Sequence, residues 1–157
     1  MANARDDRTA ADAHAEHPTV CRMRGVLLVL LVFGVLVTLG ELLLLEHTED
    51  YWQLTPLVIL GSSLLVTLAL VALPRPASVR AFQGTMVLFI VSGFTGLFLH
   101  YRGNTEFELE MYPSMAGFEL FWEALKGATP TLAPAAMTFL GVVGLAFAYR
   151  YPGRRRI

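Results

Sequence analysis

The sequence predicts an all-α integral membrane protein, a four-transmembrane-helix bundle with an outer amphipathic interfacial helix, and three observations carry that prediction. Of 157 residues, 55% are hydrophobic and 16% charged, a balance too apolar for an ordinary soluble domain. The apolar residues gather in four blocks, at about 26–45, 57–73, 81–99 and 131–149. Each block approaches the roughly 20 residues that a helix rising about 1.5 Å per residue needs to cross a hydrocarbon core of about 30 Å. Apolar side chains go all round each block, so every face meets lipid or another such helix.

The first block is read as a retained span. About two dozen polar residues precede it, and no small-residue cleavage site follows it, unlike a cleaved signal peptide. Residues 1–20 carry no apolar period and are expected to be a disordered cytoplasmic tail, with 21–157 forming the membrane domain. Pro74-Arg-Pro-Ala-Ser-Val-Arg80 reads as a tight turn between the second and third spans, its prolines ending the helix before it. The remaining long connection, 101–129, is the outer loop.

Basic residues set the orientation, because Lys and Arg near helix ends are retained on the cytoplasmic side. With four spans, Arg5, Arg8, Arg22, Arg24, Arg75, Arg80, Arg150, Arg154, Arg155 and Arg156 fall together, and Arg102 and Lys126 fall opposite. Both termini are therefore expected in the cytoplasm, and the acidic residues from Glu41 onward in the outer half. One lysine among twelve basic residues suggests a high-GC bacterial genome and hence a bacterial inner membrane. The single cysteine, Cys21, excludes an intramolecular disulfide.

Within the outer loop, Glu106, Glu108 and Glu110 alternate with Phe107, Leu109 and Met111, which suggests a short extended segment. After Pro113, Ser114 is an expected N-cap. Met115, Phe118, Phe121, Trp122 and Leu125 then recur at helical spacing, with Glu119, Glu123 and Lys126 on the remaining face and Gly127 as the stop. This is an amphipathic helix, and Phe118, Phe121, Trp122 and Leu125 are its expected interface toward lipid, the bundle or a partner. Ser92 and Gly96, and Gly144 and Ala148, have the small-xxx-small spacing of close helix packing.

The residues with chemical capacity cluster at the outer end. The first and third spans both run outward, so His47 and His100 should finish at similar depth. Glu49 and Asp50 lie near one, and Glu106, Glu108 and Glu110 near the other. Imidazole and carboxylate together suit a divalent metal such as zinc, although no tight ligand motif is present. The bland alternative is a set of solvated groups that cap helix ends and pair with Arg102.

Glu41 lies inside the first span, about a turn from its outer end. An ionisable group there is expected to face the bundle interior, a cavity or a partner, as part of an ion pathway, or to reach the headgroups. Haem is disfavoured because no span contains a histidine. No nucleophile elbow or phosphate loop points to catalysis, and only the terminal arginines would speak for nucleic acid.

Two functional classes follow. The first is an accessory or assembly subunit presenting an acidic outer loop to a membrane-protein partner or a second copy. The second is a protein that binds a divalent metal or conducts cations or protons through the His/carboxylate cluster.

Overall fold

The computed structural model describes residues 18–151, and among them every regular element is helical. Helices α1 (Pro18–Leu44), α2 (Tyr51–Ala72) and α3 (Pro76–Met111) are each long and apolar enough to cross a membrane. The helices α4 (Gly117–Lys126) and α5 (Ala135–Ala148) are shorter. The expected tail lies outside the described residues up to residue 17, and Pro18, Thr19 and Val20 form the first turn of α1. Arg154, Arg155 and Arg156 also lie outside them.

Local chemistry explains the helix ends. Asp50 caps α2 by accepting a 2.8 Å bond from the Gln53 amide, while the Gln53 side chain accepts one of 3.0 Å from the Glu49 amide. Two otherwise unpaired donors are thereby satisfied. At the other end of α2 the chain turns, and Pro76 enters α3 in its first turn, where its missing N–H costs nothing. Inside α2, the Ser62 and Ser63 hydroxyls donate to the Ile59 and Leu60 carbonyls at 3.1 and 2.7 Å, so neither is left as an unpaired polar group.

Two expectations from the sequence are corrected here. Glu106 to Met111 is not extended: α3 runs on through it for a total of 36 residues. At about 1.5 Å per residue that helix is about 54 Å long, far more than the roughly 30 Å of a hydrocarbon core. Glu, Leu and Met are good helix formers, and Arg102 bonds to Glu106 one turn on at 2.8 Å. The alternation of glutamate with apolar residues is a coincidence of composition.

The second correction concerns the entry to α4. Ala116, without a side-chain bond, holds the N-cap position in place of Ser114, and Gly117 at φ +62° takes the left-handed conformation that redirects the chain. Gly127 closes α4 as expected.

The fourth apolar block is helical only from Ala135, for 14 residues, or about 21 Å. Pro134 disfavours a helical conformation in the residue before it, and Pro130 lies one turn earlier. Between them the chain forms turns, with bonds from Ala133 to Pro130, from Ala135 to Leu132, from Ala136 to Ala133 and from Met137 to Pro134, all of 3.0 to 3.2 Å.

The core sits where α5 packs between α1 and α3, with α2 closing against α1 and α3. Leu31 and Val35 of α1, Leu60 and Leu70 of α2, Phe82, Met86 and Phe89 of α3, and Leu140 and Phe147 of α5 are buried there. Small residues bring α3 and α5 together: Gly93 and Gly96 lie against Thr138 and Pro134, and Gly144 lies against Met86. Ser92 reaches the Met137 sulfur at 3.9 Å, so Ser92, Gly96 and Gly144 serve this interface, and Ala148 is fully buried.

Helix direction follows from side-chain contacts at the ends. The Arg24 guanidinium donates to the Tyr149 and Arg150 carbonyls at 2.8 and 3.1 Å and lies 5.3 Å from the Tyr151 ring. Phe82, in the second turn of α3, meets Phe147 near the end of α5 at 5.5 Å. The starts of α1 and α3 and the end of α5 thus share one end of the molecule. His47, His100 and α4 share the other.

Candidate functional site

At that second end the apolar helices give way to a polar cap built on the overhang of α3. Its organising residue is Asn104, which is 2% exposed. The Asn104 amide nitrogen lies 3.0 Å from the Ala124 carbonyl, 2.8 Å from the Thr129 carbonyl and 3.0 Å from the Thr131 hydroxyl. Its oxygen accepts from the Thr129 amide at 3.1 Å and from the Thr129 hydroxyl at 2.6 Å. One side chain therefore ties α3 to the end of α4 and to the chain leading into α5.

Gly127 is a requirement of that clasp, because a Cβ there would stand 2.5 Å from Asn104 Cγ. One turn before Asn104, His100 Nδ1 lies 3.1 Å from the Pro130 carbonyl. A carbonyl only accepts, so Nδ1 is the donor in this bond.

His47 lies in the loop between α1 and α2, half-buried, within the electrostatic reach of His100, Asp50 and Glu49. Burial lowers its pKa below the ordinary histidine value, and the charge of His100 lowers it further; Asp50 and Glu49 act in the opposite direction. A depressed folded-state pKa means that His47 contributes stability above its unfolded value of about 6.5 and loses it as pH falls through the lower folded value. The expected result is a thermal stability in detergent that falls on acidification below about pH 6.5, with the fall reduced in His47→Gln. Equal acid sensitivity in both proteins would refute it.

Among the described residues, no three His, Cys, Asp or Glu side chains converge in a group that could hold a metal ion. Comparison with family models, with curated proteins and with solved structures finds no match.

Of the residues the sequence singled out, Glu49, Asp50 and His100 lie within electrostatic reach of His47 without converging on one point. Glu106, Glu108 and Glu110 project from the overhang of α3, where Glu106 and Glu110 are exposed on one side one turn apart. Asp50 is engaged as the cap of α2 and Glu106 as the partner of Arg102.

Glu41 is exposed on the outward surface of α1, not turned toward the interior of the chain. It shares that surface with Phe33, Val37 and Leu44, each three or four residues from the next. Phe118, Phe121 and Trp122 form an exposed aromatic face on α4, with Leu125 half-buried beside them.

Sequence reasoning missed the role of Asn104. The available signal was an asparagine just beyond the third apolar block, followed by Thr129 and Thr131 around a proline.

Proposed function

We propose that this chain is a noncatalytic accessory or assembly subunit of a membrane complex, meeting its partner through the acidic cap. The observation that carries the reading is the overhang of α3, clasped by Asn104 to α4 as one body beyond the apolar zone. A clasped overhang holds side chains in fixed relation to one another, which recognition of a partner requires. Glu106, Glu110 and Glu119 are exposed on this body, and the two nearby cations are engaged: Arg102 pairs with Glu106, and Lys126 with Glu123 at 2.8 Å. Phe107 and Met111 are exposed among the carboxylates, so the surface mixes apolar anchors with charge as partner interfaces do.

The membrane placement behind this reading has four crossings, with both termini on the cytoplasmic side of a bacterial inner membrane. The 14-residue α5 is extended by the turns from Pro130, at about 2.0 Å per residue, to nearly the thickness of a hydrocarbon core. The end of the molecule holding Arg24 and Arg150 is then cytoplasmic, by the retention of basic residues.

The test is purification of the full chain in mild detergent from its native membrane, beside a Glu106→Lys, Glu110→Lys, Glu119→Lys variant. A stoichiometric partner that is released by salt and absent from the folded variant is the expected result. A wild-type chain that runs alone, or a partner indifferent to all three reversals, would sink the reading. A second copy as the occupant would appear as a homo-oligomer with the same charge dependence.

A second reading, divalent metal binding or cation and proton conduction, is favoured by one observation. His47 lies within electrostatic reach of His100, and the His100 Nδ1 proton is held by a backbone carbonyl, as in metal-ligating histidines. The check is a histidine NMR titration in which added zinc moves the signals of both residues together; unmoved signals exclude the site. Glu41, on the outward side of α1, could join such a pathway only at an interface between chains.

A further inference from the structure

We infer that the outward aromatic face of α4 seats in the acyl–headgroup boundary of the bilayer, anchoring the cap to the lipid surface and leaving the carboxylates of the cap to water. The inference rests on the membrane placement proposed above and divides the surface of the cap: lipid takes the aromatic face of α4, and a partner is left with the acidic face.

A helix turning about 100° per residue gives α4 three separate strips. Ala124, fully buried, and Leu120, half-buried, form the strip docked on the rest of the chain. Glu119, Glu123 and Lys126 form a polar strip. Phe118, Phe121 and Trp122 form the third, and they stay 77%, 45% and 47% exposed although the helix is already docked. The clasp at Asn104 therefore does not use this face, and the face still lacks a cover.

The occupant is indicated by level and by continuity. The Phe121 ring lies 5.9 Å from that of Tyr101, the residue after His100. His47 lies within electrostatic reach of His100, and the chain from His47 leads directly to Tyr51 and Trp52, which open α2 and are 88% and 64% exposed. Tyr51, Trp52, Tyr101 and Trp122 thus fall near one level at one end of the helices, where tyrosine and tryptophan of membrane proteins meet the headgroups.

On the side toward the middle of the helices, the exposed surface of α3 continues with Phe94 and Phe98, and that of α2 with Val58 and Leu65. The aromatic strip of α4 is continuous with the surface the spans offer to lipid. Phe118 stacks on Trp122 at 6.3 Å, and the Lys126 ammonium stands 5.8 Å from the Trp122 ring, so one end of the strip is apolar and the other is charged and wet.

The chain has two tryptophans, so Trp52→Phe leaves Trp122 as the sole reporter and Trp122→Phe leaves Trp52. Each full-length variant is reconstituted in phosphatidylcholine vesicles, with and without bromine on the acyl chain near the headgroup, and titrated with aqueous iodide. The expected result is a loss of Trp122 emission in the brominated vesicles and little loss with iodide. Quenching of Trp52 but not Trp122 by bromine would overturn the inference while leaving the membrane placement intact. Quenching of neither would overturn both.

Discussion

Asn104→Leu should release α4 from α3 and cost the cap about 2–4 kcal/mol, the scale of stranding buried backbone groups. Leucine is close to asparagine in size but makes none of its bonds. The Thr129 amide and carbonyl would lose their partner, and the Ala124 carbonyl would keep only its longer bonds, 3.3 Å from the Thr131 hydroxyl and 3.4 Å from the Gly127 amide. These groups can recover bonds only by admitting water, which means opening the contact. Lys126, the only lysine, lies at the end of α4, just before the clasp, so tryptic cleavage after it should accelerate sharply in the variant. Amide exchange at Thr129 should accelerate with it.

Asn104→Asp separates donor from acceptor. It retains an oxygen for Thr129 but turns a carboxylate toward the Ala124 and Thr129 carbonyls, so it should open the cap as well. Cleavage and exchange at wild-type rates in the leucine variant would show that α4 is held by its apolar strip alone.

The distance over which each feature is determined explains what the sequence could show. Hydropathy located α1, α2, α3 and α5, because lipid-facing backbone must be satisfied within its own segment and an apolar run is a local property. That His47 and His100 lie at the same end of the molecule was legible too, because α1 and α3 run the same way. Asn104 was not legible, since its partners lie 20, 25 and 27 residues away and nothing near it shows that they return.

The overhang of α3 was misread for a different reason. Period-two alternation of glutamate with Phe107, Leu109 and Met111 is a strand signal only where one face is buried. Here Arg102 and Glu106 bond along a helix that Asn104 already anchors. Of the places open to Glu41, the bundle interior is filled by Leu31, Val35 and their neighbours, which leaves the carboxylate on the outward side, toward a partner or the headgroups.

Gly93→Ala, a change of one methyl group, should destabilise the chain by about 1–3 kcal/mol, the range for overpacking a tight interface. The added Cβ would stand 2.7 Å from the Thr138 amide nitrogen and 2.9 Å from the Pro134 carbonyl, besides meeting the Thr138 hydroxyl. Two of these neighbours are backbone, so no rotamer change relieves the clash and α3 must move away from α5. In lipid, helices gain little from burying apolar surface against each other, and close approach at small residues is a main source of their attraction.

Gly103→Ala supplies the opposite sign on the same helix. Its Cβ meets nothing within 4 Å, so alanine should stabilise by about 0.5–1 kcal/mol through helix propensity alone. Thermal unfolding of both variants in one detergent compares packing with propensity directly; shifts of the same sign would refute the close contact at Gly93. The contact also reaches the cap. Pro134 rests on Gly93 and Gly96, and four residues earlier Pro130 receives the His100 proton. Pushing α5 away at Gly93 should therefore loosen the His100 bond as well, and the Nδ1 proton of His100 should exchange faster in the alanine variant although no polar group has been touched.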